Sequence, residues 1–203
     1  MTLSHATGAL TDLAADLLVL PVRPGEVPGE WRAAFGDPLD AAAADATQTK
    51  DPSLVYTGGT AARVAVVPVG DPEELDARRV AAAKAAQLAQ RLRASTLAFA
   101  IPEDEAGEAV GAYVEGVFLG AYRYVRYRTR QADLWTAPEH LLLHGAERHE
   151  EAIRRAVVGA EATNLARDLV NLSPDEKTPE LLAALVREAA EAAGLRVDVW
   201  DHA

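Results

Sequence analysis

Cysteine is absent from the 203-residue sequence, which excludes a disulfide framework, a thiolate metal site and a cysteine nucleophile. Long apolar runs are missing too. No stretch approaches the ~18 residues a membrane helix needs, and MTLSHATGALTD at the N-terminus has neither the basic segment nor the apolar run of a secretory signal. These absences predict a soluble, cytoplasmic protein. Lysine is scarce, occurring only at Lys50, Lys84 and Lys177 and greatly outnumbered by arginine, and the formal net charge is −11. Such a chain repels phosphate backbones and anionic lipid heads, so nucleic acid or a membrane could be held only at a local basic patch. Aromatics make up 5% and apolar residues 49%; a chain of this size can bury roughly 70% of its unfolded surface and fold without staples.

Short β-branched runs alternate with longer alanine-rich segments, the pattern of strands joined by helical crossovers. The expected class is α/β, with a mixed, largely parallel sheet flanked by helices. Asp16–Val22 (DLLVLPV) is almost continuously apolar and reads as a central strand covered on both faces. Leu54–Thr57 and Arg63–Val69 flank Gly58 and Gly59 and read as a hairpin. Asp71 and Pro72 open a helix to about Arg93, with Glu73 and Glu74 in a first turn that favours acids. Thr96–Ile101 is a strand ended by Pro102. Glu105–Tyr124 reads as a helix despite Gly107, Gly111, Gly116 and Gly120. Each glycine costs a helix about 1 kcal/mol relative to alanine, so close approach to a neighbouring backbone is the expected compensation. His140–His144 is a short strand and Glu147–Asn171 a long helix.

After the bend Ser173–Pro179, Thr178 is an N-cap, Pro179 the first helical residue, Glu180 a first-turn acid, and Gly194 the stop after Ala193. Leu195, Val197 and Val199 then alternate with Arg196 and Asp198, predicting a strand that ends at Trp200.

Chemistry-bearing motifs are few. His140 and His144 have the spacing of a helical metal pair, but HLLLH lacks the glutamate of a zinc peptidase helix. On a strand their Cα atoms lie roughly 13 Å apart, too far to share an ion. His5, His149 and His202 have no ligand-like neighbours. Glu103–Asp104–Glu105 and Glu150–Glu151 could in principle hold a cation, though acids at helix starts are ordinarily dipole-favoured and solvated. No serine elbow and no phosphate-binding P-loop occurs. Tyr122–Arg130 (YRYVRYRTR) interleaves rings and arginines as nucleic-acid binders do, through Arg123, Arg126, Arg128 and Arg130. At a helix end, however, arginines also answer the dipole. Arg167 and Asp168 are helix neighbours that cannot face one another; they are either a solvated pair or a tie to a following domain.

Asn164-Leu165-Ala166-Arg167-Asp168-Leu169-Val170-Asn171, a proline-containing bend, then Thr178-Pro179 and a helix resembles the interdomain joint of the leucine aminopeptidase (cytosol aminopeptidase) family. Glu115-Gly116-Val117-Phe118-Leu119-Gly120-Ala121-Tyr122-Arg123-Tyr124 is similar to a helix of that family, as is Val66–Gly70 leading into Arg78–Arg79. In the bend, Ser173 and Asp175 stand where the family commonly has proline and asparagine.

The resemblance implies a non-catalytic, macro-domain-like α/β domain over residues 1–160. Residues 161–203 would then be a connecting helix plus the first helix and strand of a catalytic domain. It also implies two divalent metals, zinc or manganese, for a full-length parent that releases N-terminal residues from peptides. The motifs that hold those metals are not in this sequence, so no catalytic, cofactor-binding or metal residue is assigned to it. The expected role is oligomer assembly and control of access to the catalytic domain, with self-association or that domain as partner. The alternative is a stand-alone macro-like module that binds ADP-ribose or a related nucleotide at the carboxyl ends of its strands.

Overall fold

The computed structural model describes residues 1–71, 73–129 and 137–200. The chain divides into two compact units, Met1–Glu161 and Ala162–Ala203. In the first, β1 (Thr2–Ala6), β2 (Leu17–Val22), β3 (Ser53–Tyr56), β4 (Arg63–Pro68), β5 (Thr96–Ala100) and β6 (His140–His144) form one sheet in the order β1-β6-β5-β2-β4-β3. All neighbours are parallel except β3 and β4. The α/β class, the internal position of β2 and the hairpin thus agree with the sequence pattern.

The two-residue period of the strands sorts their side chains into two cores. Leu17, Val19, Ala65, Val67, Leu97, Phe99, Leu141 and Leu143 face α3 (Leu75–Leu92), α4 (Gly107–Ala121) and the first turns of α5 (Glu150–Asn171). Leu18, Leu20, Val22, Val64, Val66, Ala98 and Ala100 face α1 (Gly29–Phe35) and α2 (Asp37–Thr49), where Trp31 is buried. Because both faces are covered, β2 is buried at every residue, which is why its sequence is a continuous apolar run rather than an alternating one.

The α3/α4 seam explains the glycines. A Cβ on Gly116 would stand 2.3 Å from the Arg79 carbonyl oxygen, and one on Gly120 would stand 2.5 Å from the Ala83 Cα. Backbones meet there because no side chain intervenes. Gly111 packs in the same manner, though less tightly, against the Ala152 carbonyl of α5.

Several expectations need correction. The helix expected from Asp71 starts at Leu75; ahead of it the Glu74 N–H bonds the Asp71 carbonyl, and Asp76 is the first-turn acid. Pro72 lies outside the described residues. The helix expected over Glu105–Tyr124 is shorter at both ends, Gly107–Ala121. A 3-10 turn, Glu147–His149, precedes α5. β1, α1 and α2 are additional to the elements expected from the sequence pattern.

The second unit holds the end of α5, a 3-10 turn at Pro174–Glu176 and α6 (Pro179–Ala192). Thr178 caps α6 by accepting from Leu181 N–H at 3.3 Å, Pro179 is its first residue, and Gly194 takes φ +76° just past its end. Lys177 Nζ donates to the Val170 carbonyl at 2.6 Å, which satisfies an acceptor in the last turn of α5. The strand expected at Leu195–Trp200 is not formed. A strand needs a ladder partner for its N–H and C=O groups, and none pairs with this segment among the described residues. No helix among the described residues is long and apolar enough to cross a membrane.

Candidate functional site

The densest charge network of the first unit lies at the carboxyl edge of the sheet, around Glu105. After β5, Pro102 ends the strand and the Glu105 N–H bonds the Pro102 carbonyl, a turn that folds the carboxylate inward ahead of α4. Its side chain is only 2% exposed. Arg78, whose side chain is 6% exposed, donates to Glu105 Oε2 through Nε at 3.0 Å and Nη2 at 2.8 Å. Oε1 accepts from Arg23 Nη2 at 3.3 Å and from the Tyr113 hydroxyl at 3.2 Å. Arg23 also donates to Asp104 at 2.7 Å. Segments distant in sequence are thereby pinned to one buried carboxylate: the loop after β2, the first turn of α3, the loop after β5 and the body of α4.

The electrostatics follow from this packing. Burial, and then the Glu105 charge, push the Tyr113 phenol well above its ordinary range. The Asp104 hydrogen bond raises Arg23 further, against its desolvation. Both Glu105 oxygens are engaged, and Tyr113 holds its proton as a donor. The cluster therefore offers neither a general base nor a nucleophile; its chemistry is positioning. A second pair lies on the glycine seam, where Arg79 Nε donates to Glu115 at 2.6 Å and Nη1 to Asp76 at 2.7 Å.

Two hollows open on this edge. One, of 190 Å³, is lined by Arg23, Glu26, Val27, Pro28, Pro102 and Asp104 among others. The other, of 430 Å³, lies beyond β4 and carries Asp71, Glu74 and Asp76 beside Lys50 and Lys84. The first is below the ~300 Å³ of ordinary small-molecule sites, and carboxylates rim both.

The sequence-predicted residues are dispersed. His140 Nδ1 meets the Thr2 hydroxyl at 2.7 Å, while His144 Nε2 meets the Gly8 carbonyl at 2.9 Å. Each ties the β1 end of the molecule to β6, and they do not converge. His5 pairs with Glu150 at 3.2 Å and His149 accepts from Arg148; His202 lies outside the described residues. The acidic runs separate, with Asp104 and Glu105 on arginines and Glu151 on Arg154. Among the described residues no group of three or more histidines or carboxylates could hold a metal ion. The described side chains do not fit the two-metal centre that the resemblance implies for a parent protein.

The basic segment follows α4 rather than ending it, so Arg123, Arg126 and Arg128 do not sit on a helix terminus as expected, and Arg130 lies outside the described residues. Tyr124 and Tyr127 pack edge to face within this segment, 5.7 Å between centroids. Arg167 donates to Asn164 one turn back on its own helix.

No motif singles out Arg23 or Tyr113, and Arg78 is marked only by the resemblance. A signal was available for Arg78: it falls on the stripe of Ala81, Ala82, Ala85 and Ala89, so the helical period alone directs it inward.

Arg79, Glu115, Gly116 and Gly120, drawn from two separate stretches of the resemblance, meet at one helix seam. A family model described as the cytosol aminopeptidase family, N-terminal domain, matches residues 42–131, which contain that seam. The chain carries the N-terminal domain of the cytosol aminopeptidase family. The probable cytosol aminopeptidase of Streptomyces coelicolor is 34% identical over 239 residues, covering 98% of this chain and 45% of the relative. That of Roseiflexus castenholzii is 34% identical, covering 98% and 42%. The chain thus spans less than half the length of these curated relatives. Among solved structures, a tomato leucine aminopeptidase mutant shares the fold with a TM-score of 0.75 at 18% identity, over 96% of this chain and 43% of that one. The bottromycin maturation enzyme BotP in complex with Mn aligns with a TM-score of 0.66 at 26% identity, over 89% and 37%.

Proposed function

We propose that this chain is a non-catalytic portion of a cytosol-aminopeptidase-type metallopeptidase that releases N-terminal residues from peptides in the cytoplasm. Its own work is assembly: the second unit seats a catalytic domain, and the chain supports an oligomer that limits access to it. The observation that carries this reading is the apolar surface of the second unit. Leu165, Val170, Leu181, Leu182 and Val186 are exposed on α5 and α6, and Leu172 is the one buried hydrophobic residue among the described residues of that unit. An amphipathic helix gains most of its stability by covering such a stripe. In this reading the two divalent metals belong to the catalytic domain, with manganese a fitting choice given the Mn complex of BotP. Glu26 and Asp104 outnumber Arg23 in the first hollow, as Asp71, Glu74 and Asp76 outnumber Lys50 and Lys84 in the second, and this excess of carboxylate favours assembly over the nucleotide-binding alternative.

The direct test is incubation of the purified chain with leucine amide and manganese or zinc. No release of leucine is expected, and turnover proportional to the chain would overturn the reading. Calorimetry with ADP-ribose is expected to give no heat of binding; a micromolar complex would put the nucleotide module in its place.

A further inference from the structure

We propose that β3 is a self-pairing edge, through which two copies of the chain join their sheets antiparallel. This deepens the assembly role proposed above and rests on it. Thr57 N–H bonds the Ala62 carbonyl at 3.1 Å, and β3 continues that register with Tyr56 opposite Arg63, Val55 opposite Val64 and Ser53 opposite Val66. In an antiparallel ladder hydrogen-bonded pairs alternate with non-bonded ones. Ser53, Val55 and Thr57 therefore spend their backbone groups on β4, while Leu54 and Tyr56 direct N–H and C=O away from the sheet. Among the described residues β3 has β4 as its single neighbour.

Proteins guard such an edge with charge, proline or a very short strand, and β3 has Pro52 before it and only four residues. Yet Pro52–Thr60 carries no charge, in a chain of net charge −11, and Tyr56 is 72% exposed. A hollow of 270 Å³ lined by Phe35, Pro38, Val55 and Tyr56 adds apolar surface beside the strand.

The occupant follows from register and charge. With a two-fold axis at Val55, Leu54 lies opposite Tyr56 of the second copy, and the outward groups form four N–H···O bonds. A register shifted two residues one way sets Pro52, which has no N–H, opposite Tyr56. Shifted the other way, it sets Leu54 opposite Gly58 in the turn. In this register Asp51 falls opposite Gly59 of the second copy, so two copies that repel over most of their surface meet here with no carboxylate facing another.

Analytical ultracentrifugation of the full chain is expected to show a dimer that strengthens with salt. Amide exchange at Leu54 and Tyr56 should slow at least tenfold on going from dilute to concentrated protein, while Val55 is protected at both concentrations. Tyr56→Pro removes one outward donor per copy and leaves the ladder to β4 intact. Losing two hydrogen bonds weakens the dimer about 30-fold. Tyr56→Lys, which leaves every backbone donor in place, should weaken it as well and guards against misfolding of the proline variant. Leu182→Glu on α6 should have no effect.

An oligomer insensitive to both Tyr56 variants, or one abolished by Leu182→Glu, overturns the β3 edge and leaves the assembly role standing. A strict monomer at millimolar concentration overturns both. Capture of an extended synthetic peptide by β3 without dimerisation overturns the second copy as occupant.

Discussion

Alanine at Gly116 tests the α3/α4 seam most sharply, because two opposing effects have calculable sizes. In an isolated helix the change is favourable by about 1 kcal/mol, since glycine loses the most backbone freedom on folding. In this fold the new Cβ would lie 2.3 Å from the Arg79 carbonyl oxygen, 2.8 Å from the Arg79 Cα and 2.8 Å from the Ala82 Cβ. Two of those atoms are backbone, so no rotamer change relieves the overlap. The helices must separate by about 1 Å, which also stretches the Arg79–Glu115 hydrogen bond of 2.6 Å. Overpacking of a tight core costs ~1–3 kcal/mol, and backbone involvement places this case at the upper end. The net expectation is destabilisation by about 2 kcal/mol, or a melting point lower by roughly 4–8 °C in a chain of this length. Gly159→Ala is the control: it lies within α5 and its added Cβ meets nothing within 4 Å. That variant should gain up to about 1 kcal/mol. Urea titration followed by far-UV circular dichroism reads both. A Gly116→Ala protein as stable as the parent, or a Gly159→Ala protein that loses as much, would refute the seam argument.

Glu105→Gln keeps the shape and removes the charge that neutralises the buried Arg78, so a loss of about 3–5 kcal/mol in urea unfolding is expected, far more than for Asp104→Asn at the exposed end of the network. Thr178→Ala removes the cap on Leu181 N–H and should cost about 1 kcal/mol of α6 stability, seen as lost helical dichroism. The Glu180 carboxyl is held below its ordinary value by its own backbone N–H and then by the Thr178 hydroxyl. Its contribution is thus fully present above the ordinary carboxylate pKa and is lost as pH falls through the lower folded value, and Thr178→Ala should diminish that acid-side transition in a dichroism titration. Gln90, fully buried, donates to the Ala121 carbonyl at 2.6 Å while its Oε1 has no partner among the described residues. Gln90→Leu therefore loses one bond but also one unsatisfied acceptor, and should cost less than about 1.5 kcal/mol by urea midpoint; Gln90→Ala, which leaves a cavity, should cost about 2–3 kcal/mol.

What was legible in the sequence divides by physical cause. β2, β4 and β5 were readable because burial on both faces leaves a continuous apolar run that no surface segment imitates. The cap at Thr178 and the stop at Gly194 were readable because each needs a particular residue type at one position. β1 was not: Thr2, Ser4 and His5 on an edge strand carry little apolar signal, and their pairing with β6 is set 138 residues away, as in the Thr2–His140 contact. The Leu195–Val199 alternation shows the converse, a correct local period without a ladder to realise it. The Glu105 network was hidden for a third reason. Its members are spread from Arg23 to Tyr113, and only the fold reveals that one carboxylate serves two arginines and a phenol.

The residues carrying the family likeness also differ in how far their own surroundings explain them. Arg79, Glu115, Gly116 and Gly120 are accounted for within the first unit: glycine allows the helix backbones to meet, and the ion pair spans the line of contact. In the joint, Lys177 and Thr178 are accounted for as well, since one closes α5 and the other opens α6. Leu165, Val170, Leu181, Leu182 and Val186 are not, because the described residues leave each of them 36–72% exposed. Side chains of this kind contribute roughly 1.5–3 kcal/mol each when fully buried and almost nothing when exposed. The proposed seat for a catalytic domain gives them a physical cause, and it predicts that polar substitutions along this stripe leave the stability of the first unit unchanged while weakening the hold on that domain.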